Sequence, residues 1–488
     1  MLERAEIERY LADFTGNPAE VMDRVPDKRA PDGAVAGDAS THFDDAAILS
    51  GDFVVQRDGV RSGMSGEDGV RIEDMVPGKA PIGVRDRAQD LVDTFRYDKP
   101  ADMDAQKLSS AALAVTPWSD DYWGIYHGIL GHRYADLLFP DSDDWKVNFD
   151  YVTKHPAARV VAAGAQAAID ALSPSEKYDL LVGDASFTLT TEMWDEGKRI
   201  YDRGGHVETW MGICHGWAPA AYMMERPRRT VTLHGPSGVL LRFFPADIKA
   251  FESLLWANSS PPIRYIGTRC TEKDPKKDEN GRVLSEAAFD TNPGTWHLAM
   301  VNQIGVSKRA LVMDATYDYE VWNQPVCGYE YHYFNPQDMR FAATSREGTV
   351  ARGAFTRDRF AKYRSTDYKA VVGVAMRTTY VVERAPTQFP TDDPGRDLTR
   401  LVDYFYDLEL DGAGRILGGE WYLNRHPDFL WTPSPGRRAE TPADAFATGV
   451  WGLGDAVPET YRTAAVRASA DGLPLAKVVD RLVELAST

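Results

Sequence analysis

Three cysteines in 488 residues, Cys214, Cys270 and Cys327, are too few for a disulfide-built fold. At least one thiol stays free, and at most one bridge can form, Cys270 to Cys327 being the pair to consider. No CxxC or HExxH motif occurs, so no metal and no cofactor is expected. The acidic PDSDDW (140–145) lacks the ligand spacing of a calcium loop. No run approaches 18 apolar residues, which excludes a membrane-spanning helix. Positive charge is in deficit: 55 basic against 73 acidic side chains give a net charge of -18. Such a surface repels a phosphate backbone, and the densest basic run, RPRR (226–229), is short, so nucleic acid is not an expected partner. The opening MLERAEIERYLADFTGNPAEV is charged and carries no apolar core of a secretory leader. Localisation and oligomeric state are left open.

What the chain does have is apolar and aromatic substance: 43% hydrophobic residues, with 12 Trp and 22 Tyr. That suffices for a large core and argues against disorder. Residues 1–105 are rich in Gly, Pro and Asp and are expected to form an irregular N-terminal segment, with a pro-region as one version of it. Residues 106–227 read as a helical part. Within it, SDDYWGIYHGILGHRY (119–134) places Tyr122, Ile125, Tyr126 and Ile129 on one helical face behind a Ser119 cap, and 156–171 is Ala-rich and helical. Ser173-Pro174-Ser175-Glu176 is a capping box with Pro at the first helical position. The stretch 188–205 is another helix, closed by Gly204 and Gly205. From 228 to 460 the period changes to two. RRTVTLHG and GVLLRFFPA form a hairpin, 246–257 a helix, and TWHLAMVNQIG (295–305), RALVMDATYDYEVWN (309–323), 376–383 and 397–411 are expected strands. Residues 461–488 end in an amphipathic helix. Helices first and an antiparallel sheet after them predict an α+β fold.

Two stretches carry candidate chemistry. In HVETWMGICHGWAPAAYMM (206–224), Cys214 stands between a turn-forming Gly212 and a helix-forming stretch. A cysteine at a helix N-terminus feels the positive end of the dipole, which favours the thiolate. Gly212 and Gly216 would let a substrate carbonyl approach backbone N–H groups that form an oxyanion hole. Pro219 requires either a helix starting at about 218 or a distorted first turn. In NPGTWHLAMVNQIG (292–305), His297 alternates with Trp296 and Leu298 as in a strand, a site from which an imidazole can pair with a thiol. Asp314, 17 residues further on, would return on a neighbouring strand to orient that imidazole, with Asp318 in reserve. Each of these residues also has an ordinary structural reading: a buried small Cys, a satisfied core His, a turn Asp.

The segment VWNQPVCGYEYHY (321–333) resembles the pep-13 elicitor peptide of an oomycete cell-wall transglutaminase. GICHGWAPAAY (212–222), NPGTWHLAMVNQIG (292–305) and GGEWY…HPDFLW (418–431) are similar to the same transglutaminase-elicitor family, so the likeness spans at least 109–431. The resemblance implies a papain-like, transglutaminase-like core, with a nucleophile near a helix N-terminus packed on an antiparallel sheet. It implies Cys214 as nucleophile, His297 as base and then acid, and Asp314 as orienting group. The activity implied is γ-glutamyl transfer from a protein glutamine to a lysine or another primary amine, with proteins bearing accessible Gln and Lys as partners. The same triad would serve a cysteine protease, a glutamine deamidase or an arylamine-acetyltransferase-like enzyme. A non-catalytic binding or elicitor module is the reading of another class. The chain departs from the elicitor peptide at Cys327, where the peptide has Arg. It also carries Glu208 six residues before Cys214, where papain-like enzymes place an oxyanion-binding Gln; the Cys214 amide and the Trp210 indole are the substitutes considered. The family's oomycete members are secreted.

Overall fold

The computed structural model describes residues 2–35, 87–259, 261–267, 275–285, 289–316, 320–452 and 454–487. Twelve strands are formed among them. They are β1 Ser110–Ala112, β2 Val231–His234, β3 Leu240–Phe243, β4 Ile263–Gly267, β5 Leu311–Asp314, β6 Asn323–Asn335, β7 Arg340–Ala342, β8 Thr349–Ala351, β9 Ala370–Val382, β10 Leu398–Leu410, β11 Ile416–Gly418 and β12 Phe429–Pro433. Ten build one antiparallel sheet in the order β11-β10-β9-β6-β5-β12-β4, with β1 and β7 added to β6 and β8 to β9. β2 and β3 make the expected separate hairpin. The architecture is α+β.

Most helices begin where the sequence signals them. Ser173 accepts from the Glu176 amide and Glu176 returns to the Ser173 amide, capping Pro174–Val182. Thr188–Gly204 ends on Gly205 in the left-handed region. Pro245–Asn258 is anchored by Asp247, whose carboxylate accepts from the Phe244 amide, Tyr134 Oη and the buried Lys177 Nζ at 2.8–2.9 Å. This ties that helix to Pro174–Val182. The closing helix, Ala476–Ser487, packs back on Pro245–Asn258, so the helical layer combines the middle of the chain with its C-terminal part.

Four expectations differ from what is found. Residues 119–134 form no long helix, but two 3-10 turns, Ile125–His127 and Ile129–Gly131. Gly124, Gly128 and Gly131 punctuate the run, and the last two lie so close to the Trp194 ring that a Cβ would meet it at 2.4–2.5 Å. The Ala-rich stretch is broken at Gly164, φ 71°, into Ala157–Ala163 and Gln166–Asp170. Residues 295–305 are not a strand but the helix Pro293–Met300, continued by a π-helical turn, Val301–Val306. The start signal was in the sequence: Asn292 accepts from the Gly294 amide at 2.9 Å and Pro293 occupies the first helical position. Finally, Arg4–Gly16 in the expected irregular segment is a helix. Its Ile7, Leu11 and Phe14 form a buried stripe, and Tyr10 stacks on Phe405 of β10 at 3.7 Å.

The sheet separates two cores. One contains the helix Cys214–Met223 together with Trp322, Cys327 and Val381. The other contains the helix Pro293–Met300 together with Val326, Tyr329, Tyr331, Tyr404 and Tyr406. β6 contributes to both because its side chains alternate between the two faces, Val326 in the second core and Cys327 in the first, and a bulge then interrupts its pairing with β9 between Val326 and Gly328. The extra residue reverses which face the later side chains take. Asn323 and Tyr331, eight positions apart, would share a face of an unbroken strand; here they face opposite cores.

Candidate active site

Cys214 is the first residue of the helix Cys214–Met223, so the amides of Cys214 and His215 have no acceptor within their own helix. The helix continues through Pro219, the distorted version of the two that the sequence allowed. Its entry is held by two backbone bonds, Ile213 N–H to Tyr122 O at 2.7 Å and Ile125 N–H to Met211 O at 2.8 Å. The glycines serve the packing here. A Cβ on Gly212 would meet the Tyr122 carbonyl at 2.6 Å, and one on Gly216 the Ser253 carbonyl at 2.1 Å. Gly216 therefore sets the close contact between the helices Cys214–Met223 and Pro245–Asn258.

The thiol is buried, with 3% of the residue exposed. It lies 3.6 Å from the Val321 carbonyl, to which it donates, and accepts from Asn323 Nδ2 at 3.5 Å. Asn323 cannot turn its amide over, because its Oδ1 already accepts from the Trp431 indole at 2.8 Å. Burial pushes the Cys214 thiol up to about 11; the Asn323 hydrogen bonds oppose this, and the charges of Glu383 and Asp314 add to it. At neutral pH such a group is a thiol, so attack requires a proton acceptor.

The stretch VWNQPV (321–326) forms the wall of this site. All six residues are buried, and each polar side chain is engaged. The Trp322 indole donates to Glu320 at 3.0 Å, Asn323 to the thiol, and Gln324 Nε2 to Glu383 at 2.5 Å. Asn323, Gln324, Glu383 and Trp431 are the site residues that motif reasoning missed. The signal lay in the W-N-Q order itself, three polar-headed side chains in a row inside an otherwise apolar strand.

Asp314 ends β5 directly opposite Asn323. Its Oδ1 accepts from the Trp322 amide at 3.0 Å and from the Thr316 amide and hydroxyl at 3.2 and 2.9 Å. Cys214 and Asp314 are thus brought together. His297 is not brought to them. It lies on the helix Pro293–Met300 in the second core, with Nδ1 2.8 Å from Tyr406 Oη and its ring against Tyr331. Its Nε2 is buried without a hydrogen-bond partner. Burial alone lowers its pKa to about 3, with no charged neighbour contributing. The β6 bulge explains the separation, since the tyrosine that touches His297 and the asparagine that touches Cys214 leave the strand on opposite faces. Among the described residues no imidazole hydrogen-bonds Cys214; His215 beside it is held neutral by burial, at about 4. Asp318 lies outside the described residues. The Trp210 indole donates to Glu208 and so is not a spare oxyanion donor. Cys327 is a free thiol donating to the Thr379 carbonyl, so it forms no bridge; Cys270 lies outside the described residues.

A family model described as transglutaminase elicitor matches residues 90–445. The chain belongs to this family. Among solved structures, the crystal structure of the GP42 transglutaminase from Phytophthora sojae is similar at 21% identity, covering 74% of this chain and 91% of that one, with a TM-score of 0.47. No curated protein matches the chain. In this member of the transglutaminase-elicitor family, the pep-13-like segment is an interior strand. Its Val321 carbonyl and Asn323 side chain contact the Cys214 thiol, and Tyr329 and Tyr331, after the bulge, pack the second core. No helix among the described residues is long and apolar enough to cross a membrane.

Proposed function

We propose that the chain is a protein-glutamine γ-glutamyltransferase with Cys214 as its nucleophile. The observation that carries this reading is the Cys214 thiol at a helix N-terminus, gripped by Asn323 and the Val321 carbonyl of the pep-13-like segment. A binding module that presents this segment would expose it, whereas here it is buried against the thiol.

In the proposed reaction the Cys214 sulfur, its proton removed, attacks the carboxamide carbon of a glutamine side chain. The oxyanion is received by the first amides of the helix, those of Cys214 and His215; one such donor contributes about 3–4 kcal/mol. Ammonia leaves with a proton and a γ-glutamyl thioester remains. A lysine ε-amine then attacks the thioester, an isopeptide bond forms, and the thiol is restored with the amine's proton. The groups closest by charge to the thiol are the carboxylates of Asp314 and Glu383. We assign Asp314 as the acidic member of the site. His297 lies across the sheet, so a role as base and acid requires a second conformation that opens the contact with Tyr406 and Tyr331.

The test is ammonia release from a glutamine peptide, with and without a primary amine, in wild type, C214A and H297Q. Ammonia with amine incorporation, both lost in C214A, is the expected result. Ammonia without incorporation would make the protein a deamidase, and C214A-sensitive cleavage of the peptide would make it a protease. Activity retained in H297Q would assign the proton to a carboxylate; activity lost in a folded H297Q would require the second conformation. Turnover unchanged in C214A would overturn the reading.

A further inference from the structure

Away from the thiol, the two 3-10 turns perform a task that the proposed reaction does not use. Gly128, in the left-handed region at φ 81°, reverses the chain between them and stacks the rings of His127 and His132 with centroids 4.2 Å apart. Both residues are more than nine-tenths buried, at 9% and 8% exposure. Asp141, itself at φ 49°, brings Oδ1 to 3.0 Å from His127 Nε2 and 3.8 Å from His132 Nε2. One ligand atom from each of the three lies within 4.8 Å of the others. A tetrahedral ion with bonds of 2.0–2.1 Å holds its ligand atoms about 3.3 Å apart, a value these two distances bracket.

One ring nitrogen of the stacked pair stands outside any hydrogen bond. His127 Nε2 is buried and makes no hydrogen bond, although the Asp141 oxygen is at contact distance, so the two atoms are close without being aligned. Converging but misaligned donors are what ligands to a common third atom look like. We propose that His127, His132 and Asp141 bind a zinc-class divalent cation. Two imidazoles and one carboxylate suit zinc, cobalt or nickel, whereas calcium and magnesium take oxygen ligands.

The three residues line a cavity of about 590 Å³ together with Tyr122, Asp143 and Glu383, and three protein ligands would leave a fourth position for a ligand from it. Tyr122 holds the entry to the nucleophile helix and Glu383 acts on the Cys214 thiol, so the ion would share a cavity wall with the active site. The sequence hides the site because the spacing is His-x4-His within a broken helix, with the carboxylate nine residues on.

The experiment uses the full chain without a polyhistidine tag, stripped by a chelator, then titrated calorimetrically with Zn²⁺ and spectroscopically with Co²⁺. One equivalent should bind, with Co²⁺ giving d–d bands but no thiolate charge-transfer band. C214A should bind as wild type, and H132A should lose the site. Asp141 is 71% exposed at its side chain, so D141N leaves the buried pair intact and should weaken binding by about tenfold or more while the protein stays folded. No zinc uptake, uptake unchanged in H127A and H132A, a thiolate band abolished by C214A, or stabilisation by calcium but not by zinc would each overturn the proposal.

Discussion

Replacing Cys214 by alanine should change how stability depends on alkaline pH. Burial in the folded protein raises the thiol from 9.0 to about 11. The folded state therefore keeps its proton to higher pH than the unfolded chain. The contribution is fully present below pH 9 and is lost as the pH climbs to about 11. Two pH units at 1.36 kcal/mol each correspond to roughly 3 kcal/mol. The assay is denaturant unfolding of wild type and C214A at intervals from pH 7.5 to about 11. The wild-type minus variant difference cancels the lysines and tyrosines that titrate in both. That difference should fall by roughly 3 kcal/mol across the window, and alkylation of Cys214, mapped by mass spectrometry, should accelerate over the same range. A flat difference curve, or rapid alkylation already at neutral pH, would refute the reasoning and mean that the site holds a preformed thiolate.

Three further outcomes follow from the same geometry. His297, lowered to about 3 by burial, stabilises fully above its unfolded pKa near 6.5 and loses that contribution as the pH falls toward 3; wild type minus H297Q stability should drop by as much as about 4–5 kcal/mol between pH 7 and 3 in urea unfolding. Gly216→Ala drives a Cβ into the Ser253 carbonyl, so the melting temperature and the Cys214 activity should fall together, with a stability loss of about 1–3 kcal/mol or more by chemical unfolding. Asn323→Ala removes the donor to the thiol and leaves the buried Trp431 indole without its acceptor; it should destabilise by about 2–3 kcal/mol and move the alkylation midpoint of Cys214 to higher pH.

Local signals were legible in proportion to how locally their physics acts. The Ser173 capping box, the Gly205 stop, the β2–β3 hairpin and the strand character of 397–411 all rest on neighbours within a few residues, and each was readable. Cys214 at a helix start is readable for the same reason, whereas the packing role of its glycines is not. They face Tyr122 and Ser253, contacts between segments far apart in sequence. The run 295–305 imitates a strand because a short apolar stretch alternates by chance, while Asn292-Pro293 is the stronger, helical signal.

Neighbouring residues alone carry the α+β class, the Ser173-capped helix start, the family motifs and the candidate nucleophile. Capping, periodicity and motif order are properties of adjacent residues, so they survive without a tertiary context. Tertiary structure alone decided which groups meet. A single-residue bulge at the end of VWNQPV sends Asn323 to Cys214 and Tyr331 to His297 on opposite sides of one sheet. Strand parity counts residues; Gly328 inside the strand pattern is a local sign of a bulge, but the register shift itself is made by pairing with β9.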